Sequence, residues 1–182
     1  VLATCSLLGV QEVYRLGGVQ AIAALALGTQ TIPKVDKVVG PGNLFVMLAK
    51  KAIYGHADID MFAGPSEILV IADATANPAY VAADLLSQAE HDEMASAILV
   101  TDSRELAEKV SAEVEKQLPR LSRATTARAS IDRFGLAVVV SSIHAAVALA
   151  NDIAPEHLEV MTQKAEEVAA EIDQAGAVFI GP

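Results

Sequence analysis

A carboxylate and an imidazole stand side by side in the segment NDIAPEHLEV, residues 151–160. Pro155 disfavours helical geometry in the residue before it, so we predict that a helix ends near residue 153 and that a strand follows. Glu156 and His157 would then stand at the head of that strand, and their side chains are the two types most often used for proton transfer near neutral pH. The segment is compatible with an acid–base pair, and equally with a histidine that caps helix carbonyls beside a solvated glutamate.

A second histidine lies in the segment SQAEHD, residues 87–92. Gln88 and His91 are three residues apart and would share one face of a helix predicted from 78 to about 94, with Asp84 one turn back. An imidazole nitrogen and an amide oxygen on one face could hold a metal ion, although glutamine is an unusual zinc ligand and two ligands do not complete a site. Spacing alone leaves two interpretations open, a metal site and a solvated acidic helix face.

Two loops contain glycine, proline and a polar side chain. In GPGN, residues 40–43, the glycines would let the backbone approach a phosphate at a helix start, or Asn43 would simply cap a helix after a tight turn. The loop matches neither the G-x-G-x-x-G pattern nor a P-loop. In AGPSE, residues 63–67, Ser66 lacks the G-x-S-x-G context of a hydrolase nucleophile, so we expect it to bind a substrate or to stabilise the turn.

Short β-branched runs alternate with helical stretches along most of the chain. This alternation predicts an α/β fold: a doubly wound parallel sheet in α/β/α layers, built from incomplete Rossmann-like units that span residues 1–66 and 67–182. Binding sites in such sheets lie at the carboxyl ends of the strands. That rule would place the loops 40–43, 63–67 and 154–157 at carboxyl ends.

The composition excludes several classes of function. Of the 182 residues, 53% are hydrophobic and 20% charged, which is typical of a folded globular protein. The net charge of −10 without a basic cluster argues against binding to nucleic acid or to an anionic membrane, and no apolar run reaches the roughly 20 residues of a membrane span. The lone Cys5 cannot form an internal disulfide and indicates a reducing compartment such as the cytoplasm.

In combination, four segments resemble histidinol dehydrogenase. They are GGVQAIAALALGT (17–29), VDKVVGPGN (35–43), IDMFAGPSEILVIAD…NPAYVAADLLSQAEHD (59–92) and IAPEHLEVM (153–161). The resemblance runs along the whole chain and implies a zinc-dependent enzyme that oxidises L-histidinol to L-histidine in two NAD⁺-linked steps. Histidinaldehyde is the intermediate stage, and the reaction is the last transformation of histidine biosynthesis.

The resemblance also implies roles for cofactor-binding residues. Gln88 and His91 match the zinc-binding glutamine and histidine of the family, which also contact the substrate. Gln20 and Asn43 match its NAD-contacting positions. The first unit, 1–66, would therefore be the NAD side and the second, 67–182, the zinc and catalytic side.

The resemblance assigns the chemistry to three further positions. Ser66 resembles the substrate-contacting serine, and Glu156 and His157 match the family's acid–base residues. His157, which also contacts the substrate, would take the proton of the alcohol, and Glu156 would activate water for attack on the aldehyde.

The family pattern also implies what this chain lacks. An aspartate and a histidine that complete the zinc shell would lie beyond Pro182, with one ligand supplied across a homodimer, and part of the NAD site would lie before Val1. We therefore expect a central fragment that folds at least in part, binds zinc weakly and turns over little. The alternatives are a metal-dependent hydrolase using His91 and Glu156, and a non-catalytic α/β module that binds a nucleotide or a protein partner through GPGN.

Overall fold

The computed structural model describes residues 1–62 and 64–181. Ala63, in the AGPSE segment, and Pro182 lie outside the described residues. The chain divides into two compact units, Val1–Gly64 and Pro65–Pro182, so the division falls two residues before the predicted one. The assignment of one unit to NAD and the other to zinc stays a prediction.

The first unit is built mainly from two packed helices and a short parallel strand pair. Its elements are α1 (Leu2–Leu7), α2 (Gly18–Leu27), β1 (Lys37–Val38), α3 (Leu44–Ile53) and β2 (Asp58–Ile59). Strands β1 and β2 pair in parallel, with Val38 opposite Ile59. Both side chains are buried in a small core with residues of α2 and α3, so the GPGN loop leaves a fixed strand and enters a packed helix.

The second unit alternates strands and helices. Its elements are β3 (Glu67–Ala72), α4 (Pro78–Ala89), β4 (Ser96–Thr101), α5 (Arg104–Gln117), a 3₁₀ turn (Leu118–Arg120), α6 (Ala124–Phe134), β5 (Gly135–Val139), α7 (Ile143–Ile153), β6 (His157–Met161), α8 (Ala165–Ala169) and β7 (Ala177–Ile180).

The five strands of this unit form one parallel sheet in the order β5-β4-β3-β6-β7. Numbered in chain order within this unit, the strands lie in the order 3-2-1-4-5. This is the order of a Rossmann-like sheet, in which successive strands are added on one side of the first strand and then, from the fourth strand on, on its other side. Helices α4 to α6 cover one face over an apolar core, and α7 and α8 cover the other. The predicted α/β fold with a doubly wound parallel sheet in α/β/α layers is confirmed.

Local sequence signals explain where α4 begins and ends. Asn77 caps its amino end by accepting from the amide of Ala79 at 2.9 Å, and Pro78 occupies the first turn, as the sequence predicts. The predicted extension to about residue 94 is wrong, because the helix ends at Ala89. Asp92 accepts from the amide of Met94 at 2.9 Å, and this local turn competes with further helix.

None of the helices formed by residues 1–62 and 64–181 has the length and apolar character needed to cross a membrane.

Candidate functional site

The site residues of the second unit lie at the amino edge of its sheet. Ser66 precedes β3, and Glu156 and His157 stand at the start of β6. Gln88 and His91 lie at the carboxyl end of α4, the helix that returns from the carboxyl end of β3 to the start of β4. The prediction that loops 63–67 and 154–157 lie at carboxyl ends of strands is therefore wrong: the described part of each precedes its strand.

His157 is oriented by the neighbouring strand. Its Nδ1 lies 3.1 Å from the carbonyl oxygen of Glu67, and a carbonyl oxygen can only accept a hydrogen bond. Nδ1 therefore carries the proton, and in the neutral ring Nε2 keeps its lone pair. The ring is one-third exposed and lies 6.0 Å from the ring of Phe179, centroid to centroid. The imidazole of His157 is therefore partly buried, and its acceptor nitrogen Nε2 forms no hydrogen bond with the described residues.

Glu156 is held beside His157 by the main chain. Its Oε2 lies 3.8 Å from Nδ1 of His157 and 3.4 Å from the amide of Glu67. Its backbone carbonyl accepts from the amide of Ala177 at 2.9 Å. A Cβ at Gly176 would lie 2.7 Å from that same carbonyl oxygen, so only glycine allows this approach. The carboxylate itself is half exposed and can reach a water or a ligand.

The turn before the pair has a strained residue. Helix α7 ends at Ile153, as Pro155 predicts, and Ala154 follows in the left-handed conformation with φ 53°. A non-glycine residue in this conformation costs about 1–2 kcal/mol, so the turn is held by its surroundings. Pro155 is buried, and its carbonyl accepts from the amide of Gly176 at 3.0 Å.

His91 has the same hydrogen-bond arrangement as His157. Its Nδ1 lies 2.7 Å from the carbonyl oxygen of Ser87, one of the unpaired carbonyls at the end of α4. Nδ1 therefore donates, and Nε2 is left as an acceptor that forms no hydrogen bond within the described residues. Arg123 binds the His91 carbonyl at 2.9 Å and fixes the main chain. An imidazole whose second nitrogen is tied to a backbone carbonyl is the usual form of a metal-ligating histidine.

Gln88 is buried, with 8% of its surface exposed. Its side-chain amide forms no hydrogen bond with residues 1–62 or 64–181, and its polar atoms are not fully buried, so they are open to a ligand. The nitrogen of His91 fits zinc well and the amide oxygen of Gln88 fits it poorly, so the local donor set fits zinc in part. Within the described ranges no cluster of three His, Cys, Asp or Glu side chains could complete the shell.

A carboxyl pair lies next to these residues. Asp84, one helical turn before Gln88, lies close enough to Glu159 for their charges to interact, and Glu159 is two residues after His157 on the same face of β6. Burial raises the pKa of Glu159 to about 7, with repulsion from Asp84 adding to the effect, and burial also raises the pKa of Asp84. Glu159 is therefore the carboxyl group of the pair that keeps its proton at mildly acidic pH. Strand alternation after His157 is the sequence signal that would have singled out Glu159.

The predicted NAD-contacting residues lie in the first unit. Asn43 caps α3, and its Oδ1 accepts from the amides of Phe45 at 3.1 Å and Val46 at 3.2 Å. The capping alternative raised by the sequence is thus observed, while the amide nitrogen of Asn43 forms no hydrogen bond with the described residues. Gln20 is exposed on the first turn of α2. Ser66 is partly buried, and its carbonyl accepts from the amide of Ser96 at 3.1 Å.

One anchor of the GPGN loop gives no signal in the sequence. Lys50 on α3 is 2% exposed, and its ammonium binds both Asp60, at 2.6 Å, and the carbonyl of Gly40. The amide of Gly40 donates to the same carboxylate at 2.8 Å. The pKa of Asp60 is held well below its usual range, mainly by the hydrogen bond from the Gly40 amide and next by that from Lys50. Lysine is rarely buried, so a pattern of apolar and polar residues would leave Lys50 on the surface.

Comparison with known proteins identifies the family. A family model described as histidinol dehydrogenase matches residues 1–182. Histidinol dehydrogenase from Halalkalibacterium halodurans is 56% identical over 182 residues, and that from Caldanaerobacter subterraneus subsp. tengcongensis is 58% identical over 181. The crystal structure of histidinol dehydrogenase from Elizabethkingia anophelis superposes with a TM-score of 0.92 at 44% identity over 99% of this chain.

The matches cover only part of each relative. The chain spans 43% of the Halalkalibacterium protein and 42% of the Caldanaerobacter protein. It covers 42% of the Elizabethkingia chain. Gamma-glutamyl phosphate reductase from Thermotoga maritima, 13% identical with a TM-score of 0.53, shares the fold alone.

Proposed function

Because the chain belongs to the histidinol dehydrogenase family, we propose that its residues form part of the active site of an enzyme that oxidises L-histidinol to L-histidine. The reaction proceeds in two NAD⁺-linked oxidations through histidinaldehyde. The observation that carries the proposal is the common state of His91 and His157, each with Nδ1 on a backbone carbonyl and Nε2 as an acceptor. Nε2 of His91 is suited to binding a metal ion, and Nε2 of His157 is suited to accepting a proton.

His157 acts as the general base of the first oxidation. Its Nε2 accepts the proton of the alcohol as the carbon-bound hydrogen leaves as hydride. The carbonyl of Glu67 stabilises the imidazolium that forms, since it already receives the Nδ1 proton, and Glu156 adds a negative charge 3.8 Å from that nitrogen.

Glu156 acts in the second oxidation. Its exposed carboxylate takes a proton from water as the water oxygen attacks the aldehyde carbon, which gives the monoanion of the gem-diol; this anion loses the second hydride to NAD⁺ and becomes the carboxylic acid. The amides of Glu67 and Ala177 hold the side chain and the main chain of Glu156, respectively, so the base needs little reorganisation.

Gln88 and His91 would hold zinc, together with ligands from outside the residues described. Zinc would orient the substrate through its imidazole and amine, and NAD⁺ would accept each hydride. Ser66 lies at the same edge of the sheet and would hydrogen-bond the substrate. Gln88, His91 and His157 would also contact the substrate at this edge. In the first unit, Gln20 and the free amide nitrogen of Asn43 contact NAD.

We also propose that the enzyme acts as a homodimer in the cytoplasm. The family resemblance supports the dimer, because one zinc ligand of the family crosses between subunits. The single cysteine of this chain suits a reducing compartment.

The experiment follows NADH formation from L-histidinol and NAD⁺ with added Zn²⁺. The full-length protein that carries these 182 residues and the 182-residue chain are compared. We expect turnover by the full-length protein and little by the chain alone, because the described residues supply only two zinc donors. Turnover by neither would contradict the proposed activity, and equal turnover by both would contradict the incomplete zinc shell.

A further inference from the structure

We propose that Lys50 and Asp60 are positioning residues for NAD: together they fix the GPGN loop, and through it Asn43. This inference rests on the proposed function, since it assigns the loop to the cofactor. Both charged groups bind Gly40 and each other, so the pair acts through the backbone of the loop.

The network is a closed ring of hydrogen bonds around one residue, Gly40. Asp60 accepts from the amide of Gly40 at 2.8 Å through Oδ2 and from Nζ of Lys50 at 2.6 Å through Oδ1. Lys50 also donates to the carbonyl of Gly40. Both backbone groups of Gly40 are therefore tied to side chains from two other elements, the helix α3 and the segment after β2.

The ring holds Gly40 in a conformation that glycine allows and other residues rarely adopt. Gly40 has φ +126°, a region that side-chain-bearing residues rarely enter. Three residues later, Asn43 uses Oδ1 to cap α3 and keeps its amide nitrogen for a ligand. Because Lys50 lies on that same helix, the two ends of the loop are anchored to one rigid element.

The burial of Lys50 argues for a role beyond stability. Its side chain is 2% exposed, whereas that of Asp60 is 29% exposed, and removing an ammonium from water costs more than such a pair ordinarily returns. A well-packed apolar residue would stabilise the helix at least as well. What an apolar residue cannot do is hold the Gly40 carbonyl and the Asp60 carboxylate at once.

The test measures NAD⁺ and histidinol KM values in the full-length protein for Asp60→Asn, Lys50→Met and the double variant. Lys50→Met alone leaves Asp60 and the Gly40 carbonyl unpaired and is expected to unfold at a lower temperature. The double variant removes the unpaired charge and is expected to recover most of that Tm. Asp58→Asn is the matched control, because its exposed pair with Lys37, at 3.1 Å, lies two residues earlier in the same unit.

We expect the NAD⁺ KM to rise about tenfold in Asp60→Asn and in the double variant, with the histidinol KM within twofold of wild type. Asp58→Asn should change neither. If the NAD⁺ KM follows Tm and returns to the wild-type value in the double variant, the pair is only structural and the inference is overturned. Absence of any NAD⁺-dependent turnover in the wild type would instead overturn the proposed function.

Discussion

The GPGN loop of the first unit and the Glu156–His157 cluster of the second lie at opposite ends of their parallel strands. GPGN follows the carboxyl end of β1 and leads into the amino end of α3. The Glu156–His157 cluster stands at the amino end of β6 and follows the carboxyl end of α7, while His91 follows the carboxyl end of α4.

Helix electrostatics gives this difference a chemical meaning. The amino end of a helix presents unpaired N–H groups and favours anions, such as the pyrophosphate of a dinucleotide. The carboxyl end presents unpaired carbonyls and favours cations, such as a metal ion, an imidazolium or the ammonium of an amino alcohol. The carbonyl of Ser87, which already binds His91, illustrates the second case. At each of the two sites, the helix end that is present thus matches the charge of the ligand proposed for that site.

The largest effect is expected at Glu156. In the full-length protein, Glu156→Gln should slow NADH formation roughly 10²- to 10⁴-fold, because glutamine cannot take a proton from water. Glu171→Gln is the control, since Glu171 also lies near a histidine, 3.3 Å from His144, at a position remote in sequence from the cluster. Equal rates for the two variants would remove the reason to place the chemistry at the amino edge.

Replacement of His91 tests the cationic character of that edge. His91→Ala should weaken zinc binding by more than the roughly 10- to 100-fold that loss of an outer partner costs, because it removes a direct ligand. Zinc affinity of the full-length protein is measured by competition with a chelator, with the exposed neighbour Glu93→Gln as control. If His91→Ala binds zinc as tightly as the wild type, the imidazole of His91 serves only to cap the end of α4.

Gly176→Ala probes how tightly the head of β6 is packed. A Cβ there would meet the carbonyl oxygen of Glu156 at 2.7 Å, so the main chain must shift and the free energy of unfolding should fall by about 1–3 kcal/mol. Gly64→Ala, which meets no atom within 4 Å among the described residues, should change it by less than about 0.5 kcal/mol. Denaturant unfolding measures both, and a neutral Gly176→Ala would mean that the β6 head is loosely held.

The smallest effect is the pH dependence caused by Asp84 and Glu159. The pKa of Glu159 is raised from 4.5 to about 7 by burial, so its contribution to stability is present below pH 4.5 and is lost as the pH rises through about 7. Since Glu159 is partly exposed, we expect a loss on the order of 1 kcal/mol between pH 5 and 8. In Glu159→Gln this slope should disappear. If unfolding titrations give Glu159→Gln the same dependence of stability on pH as the wild type, Glu159 is not the group that causes it.

The sequence predicts most of the fold and part of the site. Strand and helix alternation, with caps such as Asn77 and breakers such as Pro155, predicts the parallel sheet of the second unit, because these signals act within a few residues. Helix α6 is not predicted from the sequence, because its segment ARASIDRF has few large apolar residues; contacts such as that of Ser130 with the carbonyl of Ala95, at 2.8 Å, hold it in place.

The prediction of the sheet edge is wrong because it follows a general rule about strand ends, whereas the local signal of Pro155 already places Glu156 and His157 at the head of a strand. Residue type identifies Glu156 and His157 as a pair, and the structure places them at the start of β6. The carbonyl partners of His91 and His157, the Lys50–Asp60 ring and the Asp84–Glu159 pair depend on tertiary packing, and local sequence patterns do not encode it.

The most direct test of the account compares two histidines of the second unit in the full-length protein. His157→Ala should reduce kcat for NADH formation from L-histidinol at least about 10²-fold, because the base of the first step is lost. His144→Ala, which removes an exposed histidine that also has a carboxylate neighbour, should retain the wild-type rate. A His157→Ala enzyme within twofold of wild type would contradict the central claim that the amino edge of this sheet carries the proton chemistry.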